Sequence, residues 1–424
     1  MLQVSRIREE KEKVIQGLKK RRLRDVEASI ETILDLDQKR RQTQQQQDAL
    51  LSESNSLSRE IGNLMKSGQK QEAKALRART ADMKKQIAEL GSALASAEED
   101  LQKALYGLPN VPAEQVPDGG GADDNVKVHQ WGETPALPSG ALPHWELIKK
   151  YDIIDFDLGV KISGAGFPVY KGKGATLQRA LINFFLDEAQ AQGYDETQPP
   201  ILINEASGYG TGQLPDKEGQ MYHVTADNLY LIPTAEVPIT NLFRDMILTE
   251  DQLPVRKVGY TPCFRREAGS WGAHVRGLNR LHQFDKVEIV QITRPEESYA
   301  ALEQMCSYVQ SLLEKLELPY RKMLLCGGDM GFTSAMTYDM EVYSAAQDRW
   351  LEVSSVSNFE TYQANRLKLR YRSADGKTQL LHTLNGSALA LPRIVAAMLE
   401  NNQTPEGIKV PSALVPYTRF EIIN

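Results

Sequence analysis

At 424 residues the chain is long enough for two or three domains, and 50 basic against 56 acidic side chains leave a net charge of −6. Taken alone, that sign argues weakly against a nucleic-acid partner, yet it averages unlike parts. Residues 1–110 hold 21 basic and 17 acidic groups, a local +4 that leaves −10 for the remainder, and all 20 prolines and 30 aromatics lie from Tyr106 onward.

Other classes fall away on similar grounds. No apolar run approaches the ~20 residues of a membrane-spanning helix, and the opening MLQVSRIREEKEK lacks the apolar core of a signal peptide. Cys263, Cys306 and Cys326 form no C-x-x-C pair, so neither a disulfide framework nor a thiolate zinc site is expected. The expectation is a cytoplasmic protein with an unusual N-terminal arm.

Residues 26–105 read as two long helices. In the second, Leu76, Thr80, Met83, Ile87, Leu90, Leu94, Ala97 and Leu101 follow the 4-3 spacing of a coiled-coil seam. The first has apolar positions at Val26, Ile30 and Ile33 and again at Leu50, Leu57, Ile61 and Leu64, separated by a polar tract that includes Gln44–Gln47. Ser67-Gly68 supplies the turn. Helices of this length without aromatic core residues predict a projecting antiparallel hairpin. Near its tip Lys66, Lys70, Lys74, Arg77 and Arg79 suit a phosphate backbone, although such a run serves equally as a solvated helix face.

Gly107–Lys127 has a linker's composition, with three prolines and four glycines. Beyond it, strands are expected at Leu229–Ile232, Val255–Phe264, Arg280–Ile292 and Arg349–Val356, and helices at Ala175–Gln192, Pro295–Leu316 and Ser387–Asn401. Long antiparallel-type strands with flanking helices, and no G-x-G-x-x-G or G-x-x-x-x-G-K-[ST], predict an α+β domain that is neither Rossmann nor P-loop. A nucleotide here would be gripped by arginines and carboxylates.

Cys263-Phe264-Arg265-Arg266-Glu267 closes one strand and opens the loop AGSWGAHVRG. The returning strand places His282, Phe284, Lys286 and Glu288 on one face, with Val287 and Ile289 on the other. That face suits base stacking and the binding of amines or hydroxyls, and exposed cross-strand pairs would look similar. In SALALPRIVAAML the single charge, Arg393, needs a partner: a phosphate or carboxylate ligand, or a structural Asp or Glu.

Together these segments resemble the three signature motifs of class II aminoacyl-tRNA synthetases: a helix and strand ending in Gln198-Pro199-Pro200, the FRREAGS…HQFDKVE hairpin, and the NGSALALPRI helix. The finer resemblance is to the bacterial type of the seryl-tRNA synthetase family. It rests on Thr234-Ala235-Glu236, Phe264-Arg265-Arg266-Glu267, His282-Gln283-Phe284 with Lys286-Val287-Glu288, Glu352-Val353-Ser354-Ser355 and the N-terminal hairpin. It spans essentially the whole chain.

The resemblance implies a hairpin arm at 1–106, a linker at 107–130 and a class II catalytic domain at 131–424, built on an antiparallel sheet with flanking helices. It implies that serine and ATP form seryl-adenylate and pyrophosphate, and that serine then passes to the 3′ end of tRNA(Ser), and of tRNA(Sec) where that exists. Thr234, Ala235, Glu236, Glu288 and Ser387 would bind serine, with Arg265 bridging its carboxylate and the α-phosphate. Arg266, Glu267, Leu281, Phe284, Arg393 and the run Glu352, Val353, Ser354 and Ser355 would line the ATP site. Phe284 would stack on adenine, Glu267 would meet the base edge and Arg393 would hold the γ-phosphate. Glu352 and Ser355 would ligate Mg²⁺; no zinc is implied, and six scattered histidines offer no ligand set.

The resemblance further implies a homodimer with no membrane attachment, its arm gripping the long variable arm of the tRNA by shape and backbone contacts. Arg266, Val356, the sequence QANR at Gln363–Arg366 and Trp271 depart from the family's usual residues without removing an implied ligand. A non-catalytic relative would be expected to have lost Arg265, Arg393 or Glu288, and all three are present.

Overall fold

The computed structural model describes residues 1–267 and 276–424. The loop AGSWGAHVRG up to Val275, with Trp271, lies outside the described residues. The chain divides into two compact units, Leu2–Lys19 with Leu23–Pro109, and Asn110–Asn424 with Met1 and Lys20–Arg22.

In the first unit, short helices α1 (Val4–Glu9) and α2 (Lys11–Lys19) precede two long ones, α3 (Val26–Lys66) and α4 (Lys70–Gly107). At 1.5 Å per residue the long pair runs roughly 55–60 Å. Gly68, with φ of +79°, takes the left-handed backbone that ends α3, and Gln69 N–H returns to the Leu64 carbonyl at 3.0 Å. The hairpin seam buries Val26, Ile30, Ile33 and Leu57 against Ala73, Thr80, Met83, Leu94, Ala97 and Leu101. Where the seam turns polar, Gln47 reaches across and donates Nε2–H to the Ile87 carbonyl at 3.3 Å. A Cβ at Gly91 would stand 3.0 Å from that nitrogen, so the missing side chain makes room for the crossing. The buried Asp37 accepts from Arg8 at 3.0 Å, Arg40 at 3.1 Å and Arg41 at 3.0 Å.

The second unit is built on eight strands: β1 (Val126–Trp131), β2 (Asp195–Glu196), β3 (Val255–Phe264), β4 (Gln283–Thr293), β5 (Tyr320–Leu324), β6 (Met336–Ser344), β7 (Arg349–Asn358) and β8 (His382–Ala390). Their order is β1-β5-β6-β7-β8-β4-β3-β2, antiparallel except where β2 joins β3. Around it lie α5 (His144–Lys150), α6 (Gly172–Ala191), α7 (Glu236–Asn241), α8 (Ser298–Lys315), α9 (Thr361–Leu367) and α10 (Leu391–Asn401). Leu177, Leu181 and Phe185 of α6, Met305, Leu312 and Leu313 of α8, and Ile394 and Val395 of α10 join Val287 and Ile289 of β4 in one apolar core. This is the α+β class expected, with an antiparallel sheet as its platform.

From Asn110 on, the Pro- and Gly-rich stretch is tied into the second unit. Asn110 donates Nδ2–H to the carbonyls of Thr333 at 2.9 Å and Phe359 at 2.8 Å, and Arg21 donates to the Asn110 carbonyl at 2.7 Å.

One element differs from expectation. The helix expected from Ser387 begins only at Leu391, and Asn385–Ala390 belongs to β8. Glu288 faces Ser387 and Ile289 faces Gly386 across the ladder, so strand pairing claims these residues, and Pro392 in the first turn then starts the helix.

Candidate active site

Three neighbouring strands carry the polar face. β4 supplies Phe284, Lys286 and Glu288, β8 supplies Asn385 and Ser387, and β7 supplies Glu352–Ser355. Alternation along β4 sends Val287 and Ile289 into the core, leaving the polar set opposite, as the sequence pattern requires.

At one end lies a fully enclosed carboxylate, Glu288, with no solvent exposure. It accepts from Asn385 Nδ2 at 2.8 Å, from Lys286 Nζ at 2.5 Å and from Ser387 Oγ at 3.4 Å. Lys286 also donates to Thr234 Oγ1 at 2.8 Å. Buried Glu236, at the start of α7, accepts from Gln363 Nε2 at 2.6 Å and from the other proton of the Asn385 amide at 3.1 Å. Burial, reinforced by the charge of Glu288, pushes the Glu236 carboxyl up to about 7. Ala235, between Thr234 and Glu236 in the chain, is fully buried. Thr234, Ala235, Glu236, Glu288 and Ser387 thus converge, and Lys286, Asn385 and Gln363 join them although sequence reasoning gave them no role. Period-2 alternation already placed Lys286 on Glu288's face; nothing comparable marked Asn385 or Gln363.

The other end is cationic. Arg265 lies with its guanidinium carbon 5.3 Å from the Phe284 ring centroid. Arg393, in the first turn of α10, donates to the Glu352 carbonyl at 2.7 Å and to the Asn279 carbonyl at 3.2 Å, and stands 3.5 Å from the Glu352 carboxylate. The partner that this arginine requires is therefore present within the protein. Glu267 pairs with Arg280, and the exposed Arg266 donates its backbone N–H to the Gln220 carbonyl at 2.9 Å. Leu281 and Val353 are buried beside this end, and Ser354 donates Oγ–H to the Ser387 carbonyl at 2.5 Å.

Ser355 donates to Glu352 Oε1 at 3.2 Å. Burial raises the Glu352 carboxyl, but Arg393 and Arg265 outweigh it and hold the group below the ordinary carboxylate range. Buried Asp339, opposite Ser355 on β6, is driven the other way by burial and by the charge of Glu352. An ionised, half-exposed carboxylate beside a hydroxyl is the oxygen donor set a hard cation takes, so these residues fit Mg²⁺. Among the described residues no group of three or more His, Cys, Asp or Glu side chains is arranged to hold a metal ion.

In the helical unit, Lys66, Lys70, Lys74, Arg77 and Arg79 are all exposed, and Arg79 is also paired with Glu53 on the facing helix.

Comparisons with known proteins agree on one group. A family model described as the seryl-tRNA synthetase N-terminal domain matches residues 1–112, and one described as the tRNA synthetase class II core domain (G, H, P, S and T) matches residues 222–402. The chain is 50% identical to the serine–tRNA ligase of Salinibacter ruber, over 100% of this chain and 99% of that one. It is 46% identical to the enzyme of the same description from Akkermansia muciniphila, again over 100% and 99%. Among solved structures it is similar to the seryl-tRNA synthetase from Pyrococcus horikoshii complexed with ATP, with a TM-score of 0.92 and 34% identity over 100% of this chain and 99% of that one.

Proposed function

The chain belongs to the seryl-tRNA synthetase family, ATP-dependent ligases that join serine to tRNA, and from that premise we propose how its residues divide the work. Serine is activated to seryl-adenylate with release of pyrophosphate, and the seryl group then passes to the 3′ end of tRNA. Little covalent chemistry falls to the protein. Its tasks are to hold two anionic reactants together and to neutralise the charge that repels them.

The serine pocket is the buried carboxylate network. Glu236 and Thr234 take the ammonium group, and Glu288 with Ser387 takes the hydroxyl. The observation that carries this reading is that Glu288 is completely buried and accepts from three donors, Asn385, Lys286 and Ser387, which leaves one of its about four lone-pair sites for a substrate hydroxyl. A buried acceptor of this kind penalises an amino acid that lacks a hydroxyl, because its own lone pairs would go unmatched. Lys286 ties Glu288 to Thr234, contacting both side chains at once.

At the ATP end, Arg265 bridges the serine carboxylate and the α-phosphate, and Arg393 takes the terminal phosphate in exchange for its contact with Glu352. Phe284 is the platform for adenine, Glu267 and the backbone near Arg266 flank the base, and Leu281, Val353 and Ser354 shape the floor. Glu352 and Ser355 would hold Mg²⁺, which supplies charge neutralisation at the phosphates.

The helical unit, 1–106, is the tRNA-binding arm, with Lys66, Lys70, Lys74 and Arg77 toward phosphates of tRNA(Ser), and of tRNA(Sec) where that exists. Arg79 serves the hairpin through Glu53. Residues 107–130 connect it to the catalytic domain, 131–424. The enzyme works in the cytoplasm, where its tRNA is found, as a homodimer built on α6 and the strand after it.

The deciding experiment replaces Glu288 by Ala. Serine-dependent ATP–pyrophosphate exchange should fall about 10³- to 10⁴-fold, while ATP binding measured by calorimetry stays within a few-fold. Unchanged exchange would overturn the serine assignment.

A further inference from the structure

A second buried polar cluster lies outside the residues given a role above. His144, first residue of α5, and Glu400, near the end of α10, are both fully buried. His144 Nδ1 lies 2.7 Å from Glu400 Oε1, and the His144 backbone N–H donates to the same oxygen at 2.9 Å. The Leu278 backbone N–H donates to His144 Nε2 at 2.9 Å. Because Nε2 accepts, the proton sits on Nδ1 and is donated to Glu400. Ser344 and Gln347 complete the carboxylate's set of donors.

The same turn is gripped twice more. Gly277 has φ of +66°, and a Cβ there would meet His144 Nε2 at 2.3 Å, so the turn lies directly on the imidazole. The next carbonyl but one, that of Asn279, accepts from Arg393 Nε at 3.2 Å. Arg393 and Glu400 sit two helical turns apart on α10. One helix therefore holds the Gly277–Asn279 turn at two points, by Arg393 directly and by Glu400 through His144.

We propose that His144 is a positioning residue for the ATP end of the active site: through Leu278 it fixes the turn whose carbonyl orients the Arg393 guanidinium. The inference rests on Arg393 as a phosphate ligand. Without the Nε2 acceptor, the Leu278 N–H is left buried and unpaired, the turn shifts to find a partner, and Arg393 loses one of the contacts that set its direction. Serine recognition, through Glu288 and its partners, draws on none of these residues and is untouched.

The test uses the full-length protein and reads the KM for ATP and for serine in pyrophosphate exchange, with the thermal midpoint recorded beside them. His144→Asn keeps a donor toward Glu400 but cannot reach Leu278, and it should raise the KM for ATP roughly five- to tenfold with the serine KM unchanged. His144→Gln can place its amide oxygen where Nε2 stood, and it should restore the ATP KM to within about twofold. Equal ATP KM values in both variants and the native chain would overturn the proposal, since a purely structural role moves only the midpoint. If His144→Asn does not fold, Gly277→Ala presses on the same contact from the backbone side and decides in its place: a raised ATP KM supports the proposal, and an unchanged one overturns it. Arg393→Gln separates the two layers. If it leaves the ATP KM unchanged, the phosphate assignment of Arg393 fails and the positioning role with it. If it raises that KM while His144→Asn does not, the positioning role alone fails.

Discussion

Glu236 and Glu288 share one donor, the side-chain amide of Asn385, and two carboxylates this close resist ionising together. Burial first, and the charge of Glu288 second, raise the Glu236 carboxyl to about 7. A folded-state value above the ordinary 4.5 means that the folded chain keeps the Glu236 proton to higher pH than the unfolded one. Stability therefore falls as pH rises from about 4.5 to about 7, by at most about 3 kcal/mol, and is level above that range. Binding runs the other way, because the serine ammonium group needs the carboxylate. The KM for serine should rise by up to about tenfold for each pH unit below 7. Glu236→Gln should flatten both profiles. Titrating the thermal midpoint and the serine KM on native chain and variant checks this, and a native serine KM that is constant from pH 5.5 to 8 would contradict it. The family resemblance implied a serine-binding role for Thr234-Ala235-Glu236. The partners of that motif were not legible: Gln363 comes from α9 and Asn385 from β8, more than a hundred residues away, and only the fold brings them within 3.1 Å.

The long helices show what an element needs when its seam is not apolar throughout. Asp37 is buried and accepts from three partly exposed arginines, Arg8, Arg40 and Arg41, so removing it takes away the shared acceptor that ties α1 to α3. Asp37→Ala should lower the stability of the helical unit by about 1–3 kcal/mol and leave serine-dependent pyrophosphate exchange unchanged. A two-probe melt, with exchange assayed on the same preparation, measures both; an unaltered transition would show that the cluster contributes nothing. Most elements were legible because their patterns were regular. The 4-3 seam of α4 and the Ser67-Gly68 turn were visible, and β3 ran over Val255–Phe264 as its composition predicts. The start of α10 differs from expectation because the stretch 388–392, ALALP, is apolar throughout, and an apolar run carries no periodicity to separate strand from helix. Pairing with Glu288 and Ile289 decided for strand, and that information lies in another segment. The two short helices before Val26 were not foreseen, although they bury Ile7, Val14, Ile15 and Leu18.

For the molecule as a whole, the net charge of −6 conceals a division of labour. Residues 1–110 hold the local excess of +4, and the exposed lysines of the long hairpin face solvent near its turn. The remainder carries −10, and under the proposed assignment a few placed arginines would hold its anionic substrates without a basic surface. The account therefore makes selection of tRNA the task of one unit and activation of serine the task of the other. Deleting residues 41–90 and measuring both half-reactions on one preparation tests that claim. Serine-dependent pyrophosphate exchange should stay within about twofold, while charging of tRNA(Ser) falls on the order of a hundredfold or more as the phosphate contacts are lost. Charging that proceeds at the native rate would contradict the account.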